Sequence, residues 1–182
     1  MPLEPGSYLF GPDSGTLKVH TKKAGKAAKA GHDLEIEVTR WSATLEVGPK
    51  SSLTVSADPR SFRVIQGTGG VKALGDEERE AIPQTIDEEV LQGRPIELKS
   101  FKVKADDAGD QLEVEGALLL FGGRRLVDVA LSVAGDGRIE GSARIRQTMF
   151  GVEPYTALFG TLKVADEVEV TVDATTRSSG DG

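Results

Sequence analysis

The sequence predicts a mainly β protein, an antiparallel up-and-down meander whose bent strands close toward a barrel, with one helical insertion. Three observations carry this. Near the C-terminus Val164, Val168, Val170 and Val172 fall on even positions with Glu167, Glu169, Thr171 and Asp173 between them, the alternation of a strand with one wet face. The same alternation recurs along the chain between short turns rich in Gly and Asp. Composition agrees: 22 glycines and few aromatics (six Phe, two Tyr, one Trp) beside many Val, Thr and Leu favour strands over helices.

The elements follow in order. Ser7 to Phe10 and Thr16 to Thr21 open the series. Asp33 to Thr39 puts Leu34, Ile36 and Val38 on one face, and Trp41 to Val47 does the same with Trp41, Ala43, Leu45 and Val47. The link Thr39-Arg40 is too short for a crossover, so an antiparallel hairpin is expected there. Leu53 to Ala57 follows, and Asp58-Pro59 turns the chain before Phe62 and Val64. Later strands are expected at Pro95 to Val103, Gln111 to Phe121, Leu126 to Val133, Arg138 to Gln147 and Leu162 to Ala174. Their turns, Asp106 to Asp110, Gly122-Gly123 and Gly135 to Gly137, contain residues that tolerate positive φ. Within 96–103 the apolar positions change parity between Leu98 and Phe101, the signature of a bulge that bends the strand.

Asp76 to Gln92 is the helical stretch. Ile82, Ile86 and Val90 recur at helical spacing, and Asp76, Glu77, Glu78 and Glu80 suit the positive end of the helix dipole. Pro83 costs an interior helix about 3 kcal/mol, so a break is expected there, with a short turn before it and a second helix after it. The apolar stripe must lie on the sheet or across a barrel end. Gln66 to Gly75 is a glycine-rich loop, and 176–182 reads as a disordered tail on a single domain spanning 1–182, with its core at 7–175.

Charge and composition exclude several functions. A net charge of -7 argues against nucleic acid, which needs a broad basic face. One segment departs from that average: Lys18, Lys22, Lys23, Lys26 and Lys29 lie within twelve positions, with no acid between Asp13 and Asp33. Subtracting their five charges from -7 leaves the rest at about -12. The chain has no cysteine, hence no disulfide or thiolate site. The opening Met-Pro-Leu-Glu-Pro-Gly-Ser has no apolar core of a secretory signal, which sets a cytoplasmic expectation, and no apolar run approaches the ~20 residues of a membrane span.

No nucleophile elbow or phosphate loop is present. Gly67, Gly69 and Gly70 fail the dinucleotide fingerprint because Lys72 stands where the third glycine belongs. His20 and His32, the latter followed by Asp33, are too far apart in sequence for their spacing to build a metal site, and loop satisfaction is the plainer role for His32 and Asp33. No cofactor, metal or catalytic set is therefore expected.

The run Gly31-His-Asp-Leu-Glu-Ile-Glu-Val-Thr-Arg-Trp-Ser-Ala-Thr-Leu-Glu-Val47, with Asp58-Pro-Arg-Ser-Phe62, Gly67-Thr-Gly-Gly-Val-Lys72, Ile86-Asp-Glu-Glu-Val-Leu91, the hairpin around Gly122-Gly123 and Gln147 to Val172, resembles the YceI-like family in order and spacing. That resemblance implies an extended eight-stranded antiparallel, lipocalin-like β-barrel with a helical insertion, and an apolar tunnel for a polyisoprenoid or other long-chain lipid. It carries no agreed catalytic set, and many relatives are exported. An eight-stranded barrel has an interior that side chains can fill or that one ligand can occupy. The small inward residues, with Gly116 and Gly141, favour an open lumen.

The expected lumen residues are Leu34, Ile36, Trp41, Phe62, Leu118, Phe150, Tyr155, Leu158 and Phe159. Lys22, Lys23, Lys26 and Lys29 are expected to meet an anionic headgroup or membrane surface at the mouth, with Arg124 and Arg125 a second candidate. The expected function is non-enzymatic binding, transport or storage of a long-chain amphiphile. The alternatives are an interaction module with a filled barrel, whose exposed edge also suits a homodimer, and an enzyme using His32 and Asp33.

Overall fold

The structure, a computed structural model, describes residues 3–157 and 160–178. Two expected lumen residues, Leu158 and Phe159, lie outside that range. The strands run in chain order as β1 (Gly6–Phe10), β2 (Gly15–Thr21), β3 (Lys23–Ala24), β4 (Asp33–Val38), β5 (Trp41–Val47), β6 (Ser52–Ala57) and β7 (Phe62–Thr68). Helix α1 (Asp76–Thr85) then continues into a π-helical turn over Ile86–Leu91. After it come β8 (Ile96–Ala105), β9 (Gln111–Leu120), β10 (Gly123–Val133), β11 (Arg138–Arg146), β12 (Thr156–Ala157), β13 (Leu162–Val164), β14 (Glu167–Thr175) and β15 (Arg177–Ser178).

Hydrogen bonding joins twelve of these into one antiparallel sheet, in the order β15-β1-β5-β6-β8-β9-β10-β11-β14-β2-β4-β7, and sets β12-β13-β3 apart as a small second sheet. Twelve segments thus stand where the resemblance implies eight strands. The second half is the expected meander, with β8 to β11 paired in sequence order and β14 beside β11. The expected bulge is present: the β8–β9 register slips between Ser100 and Lys102, leaving Phe101 as the extra residue.

The first half departs from expectation. β4 and β5 do not form a hairpin: β4 pairs with β2 and β7, and β5 pairs with β1 and β6. A two-residue hairpin turn needs positive φ, and neither Thr39 nor Arg40 adopts it. The link is instead a corner locked against another corner. Thr39 N–H and Oγ1–H both donate to the Ser61 carbonyl (2.7 and 2.8 Å), and Asp58 N–H donates to the Arg40 carbonyl (3.0 Å). Similar corners carry β1 into β2 and β6 into β7. At each one the chain leaves one flank of the sheet and joins the other, so the sheet wraps around a common interior.

Two further corrections concern the insertion and the C-terminus. Pro83 does not break α1; the helix runs through it and loosens one turn later, in the π-helical segment that ends at Gln92 in the left-handed region. The missing Pro83 N–H is tolerated because α1 is a short helix whose apolar side is held by tertiary contact, which outweighs propensity. The expected disordered tail is ordered where it is described, at 176–178, and the rest of it, 179–182, lies outside the described residues. Thr176 N–H donates to the Gly137 carbonyl (3.1 Å), and β15 pairs with β1 through Leu9↔Arg177 and Tyr8↔Ser178.

The insertion of residues 69–95 sits between β7 and β8, which share no hydrogen-bonded ladder among the described residues. The packed core is one buried cluster in which Tyr8, Val114, Val133 and Phe150 join Leu45, Leu53, Leu98 and Leu131, and the last four also face the interior that the sheet wraps. Outward faces carry cross-strand ion pairs such as Lys18–Glu35 at 2.6 Å and Arg138–Asp173 at 2.8 Å. The Lys18 ammonium holds the Glu35 carboxyl below its usual range, and Arg138 does the same for Asp173. Exposed pairs of this kind contribute little stability.

Candidate functional site

The inward faces enclose a cavity of about 710 Å³. Each wall strand contributes alternate residues: Leu17 and Val19 from β2, Leu34, Ile36 and Val38 from β4, Trp41, Ala43 and Leu45 from β5, and Val168, Val170 and Val172 from β14. β11 supplies Ile139, Gly141, Ala143 and Ile145 on odd positions. The roof is the insertion, with Ile82, Ile86, Val90 and Leu91 turned to the cavity, so the helix's apolar stripe lies across a barrel end. The lining residues Ala30, Glu78, Ala81 and Tyr155 are exposed and mark the mouth.

Of the expected lumen residues, Leu34, Ile36, Trp41, Phe62, Leu118 and Tyr155 line the cavity. Phe150 does not. It is 5% exposed within the packed cluster, because the 3-10 turn Gln147–Phe150 directs it against the β9–β10 hairpin, where its backbone closes on Gly123. Gly141 also differs from expectation. A methyl there would collide with Leu131, so this glycine makes room for a neighbouring side chain rather than for a ligand.

The lysine segment borders the mouth without lining it. Lys23 pairs with Val164 of β13 in the rim sheet, and its N–H donates to Asp33 Oδ1 (2.9 Å). Lys22 Nζ stands 3.5 Å from Asp33 Oδ2. Lys26 and Lys29 are exposed and make no ion pair among the described residues, whereas Lys23 is half-buried with its ammonium against Gly69. Gly69 and Gly70 both adopt positive φ (84° and 80°), and their missing side chains let the loop lie flat on Lys23 and His32. His32 Nε2 bonds to the Lys72 carbonyl at 2.7 Å, while His20 Nε2 meets Thr171 Oγ1 at 2.9 Å. Each histidine thus has its own partner. Arg124 and Arg125 are exposed at the β9–β10 hairpin and line no part of the cavity.

Of the lining residues absent from the expected set, one is both polar and buried. Gln147 is 9% exposed and continues the inward parity of β11 one step past Ile145, a signal available in the alternation itself. Its backbone N–H donates to the Asp166 carbonyl (3.0 Å) and its side-chain Nε2 to the Ala165 carbonyl (3.1 Å). Asp166 clamps the next residue, accepting from Thr148 Oγ1 at 2.6 Å and Thr148 N–H at 2.8 Å, bonds that hold its carboxyl below the usual range. Trp41 Nε1 is buried without a hydrogen-bond partner, and so is Asp87 Oδ1 in the π-helical turn. Among the described residues no group of three or more His, Asp or Glu is placed to hold a metal, and no helix is long and apolar enough to cross a membrane.

Solved structures share this architecture. BcnA of Burkholderia cenocepacia is similar over 86% of this chain and 94% of its own, at 21% identity and a TM-score of 0.61. The YCEI protein of Campylobacter jejuni is similar over 79% of this chain and 85% of its own, at 12% identity and a TM-score of 0.53, and a mutant of it reaches 0.56 over the same shares. No family model matches the sequence, and no curated protein matches it either. At these identities the likeness establishes the fold, and the chain has the YceI-like fold.

Proposed function

We propose that this protein binds a long-chain amphiphile, such as a polyisoprenoid, in its lumen and carries or stores it without catalysing a reaction on it. The observation that supports this is the cavity: about 710 Å³, walled by Val, Leu, Ile and Ala from nearly every strand, and within the size range of ligand sites. Burying ~400 Å² of apolar ligand surface there gains about 10 kcal/mol before the costs of association, enough for useful affinity. In this reading each corner is a bend within one long strand. β1 with β2, β4 with β5, β6 with β7 and β14 with β15 then make single staves, and the twelve segments reduce to eight around the lumen.

The polar end of the ligand sits at the mouth, where Lys26 and Lys29 are free to meet an anionic headgroup or a membrane surface. The cavity weighs against a filled-barrel interaction module, which needs side chains where the lumen is. Native mass spectrometry of the purified protein, followed by solvent extraction, tests the proposal. A stoichiometric long-chain lipid in the extract supports it. A clean apo mass that does not shift with added isoprenoids removes it.

A further inference from the structure

We infer that Gln147 is a specificity-determining anchor in the lumen, selecting an amphiphile that carries a neutral hydrogen-bond donor such as a hydroxyl near its polar end. This rests on the carrier reading and adds to it the chemistry of the ligand's polar group.

The argument starts from the amide. Because Nε2 donates to the Ala165 carbonyl, the orientation of the amide is fixed: an oxygen in that position would face another carbonyl. Oε1 therefore points elsewhere, and it accepts no hydrogen bond from any described residue. Among the described residues the sealed, partnerless side-chain atoms are Trp41 Nε1 and Asp87 Oδ1, so Oε1 is not sealed. The residue is more than nine-tenths buried and lines the cavity, so its unpaired carbonyl oxygen belongs to the lumen. Around it the wall is hydrocarbon, with Ile145, Val152, Leu162 and Val164 lining the same cavity.

The position is braced. Gln147 N–H is tied to Asp166, its side-chain N–H to Ala165, and Thr148 to the Asp166 carboxylate. Ala165 N–H in turn donates to the Lys22 carbonyl (2.7 Å), which fixes the amide's depth relative to the lysine segment at the rim. A neutral acceptor in a low-dielectric wall favours a hydroxyl over an ether or a plain hydrocarbon, because only the hydroxyl satisfies Oε1. It also disfavours an ionised carboxylate at that depth, which would bring negative charge to a carbonyl oxygen. The apolar chain then runs along the Val and Leu wall, and any charged extension of the polar end reaches the rim lysines.

The test uses the whole chain, with hexadecanol, its methyl ether and hexadecane as probes. Fluorescence of Trp41, the single tryptophan and a lining residue, reports binding. The readout is the alcohol-to-ether affinity ratio in wild type against Gln147→Met, which cancels the probes' different solubilities. The expected result is a shift of about fivefold or more against the alcohol. An unchanged ratio overturns the inference and leaves the carrier reading standing. Failure of all three probes to bind wild type overturns the carrier reading and this inference with it. Should Gln147→Met not fold, Gln147→Asn keeps the amide but withdraws it by one methylene, and the same ratio decides.

Discussion

The packed cluster that includes Phe150 and the wall of the lumen share Leu45, Leu53, Leu98 and Leu131, yet their outer members differ in what stands opposite them. Tyr8, Val114, Val133 and Phe150 belong to the packed cluster and line no part of the large cavity, and the second cavity, beside Val133, holds only about 90 Å³. Val19, Leu34, Ala43 and Val170 face about 710 Å³ of open space. Hydrophobicity and alternation place a residue inward in either region. What separates core from binding surface is whether another side chain stands opposite.

That difference has measurable consequences, and the largest is in stability. Phe150→Ala is expected to cost about 3–5 kcal/mol, the loss for an aromatic removed from a packed core. Leu34→Ala, whose new void joins space already open, is expected to cost about 1 kcal/mol or less. Urea midpoints at unchanged slope measure both. Equal losses would make the lumen wall part of the core and erase the contrast. Next is a filling substitution: Ala143→Phe places a ring into the lumen and is expected to abolish retention of an extracted amphiphile, with stability within about 1 kcal/mol of wild type. A loss of 3 kcal/mol or more would mean that wall has no spare room.

Charge at the mouth gives a smaller effect. Lys26→Glu with Lys29→Glu is expected to weaken capture on vesicles containing anionic lipid by at least about thirtyfold at moderate salt, at ~1 kcal/mol per basic residue. The same change should leave neutral vesicles unaffected, and unchanged capture by anionic vesicles would remove the rim lysines from the site. The smallest effect is in acid. Because Thr148 depresses the Asp166 carboxyl, the stabilisation from that clamp is complete above the usual carboxylate pKa of about 3.9 and is lost as pH falls through the lower folded value. Protection of the amides over residues 147–150, taken relative to their intrinsic exchange rates at each pH, should therefore fall below about pH 4 in wild type, while Asp166→Asn should show low protection already at neutral pH and little acid dependence. High protection that is independent of pH in both would show that the turn does not depend on the carboxylate.

Local patterns were legible in the sequence, and long-range partners were not. The meander, the Phe101 bulge and most lumen residues follow from alternation and turn chemistry within a few positions. The Thr39-Arg40 corner is decided by Ser61 and Asp58, about twenty residues away, so reading the link by length alone gave a hairpin. The passage of α1 through Pro83 depends on what the helix covers, which local propensity does not record. Phe150 and Tyr155 share one aromatic stretch, but a 3-10 turn sends Phe150 into the core and leaves Tyr155 at the mouth. Gln147 could have been found, because parity along β11 already turns it inward; its polarity masked it in a search for apolar lining.

The insertion between β7 and β8 is tethered at both ends to strands that share no ladder with each other. Lifting it away breaks no strand-to-strand hydrogen bond; its polar ties include the His32 bond to the Lys72 carbonyl (2.7 Å), the Arg94 bond to the Phe121 carbonyl (3.0 Å) and a loose 3.9 Å Arg60–Asp87 ion pair. Its inner side is apolar, with Ile82, Ile86 and Leu91 turned to the lumen, the same kind of surface that a hydrocarbon chain offers. The roof is thus hinged by its covalent ends and seated by water's exclusion of that surface, with no ladder along its margin.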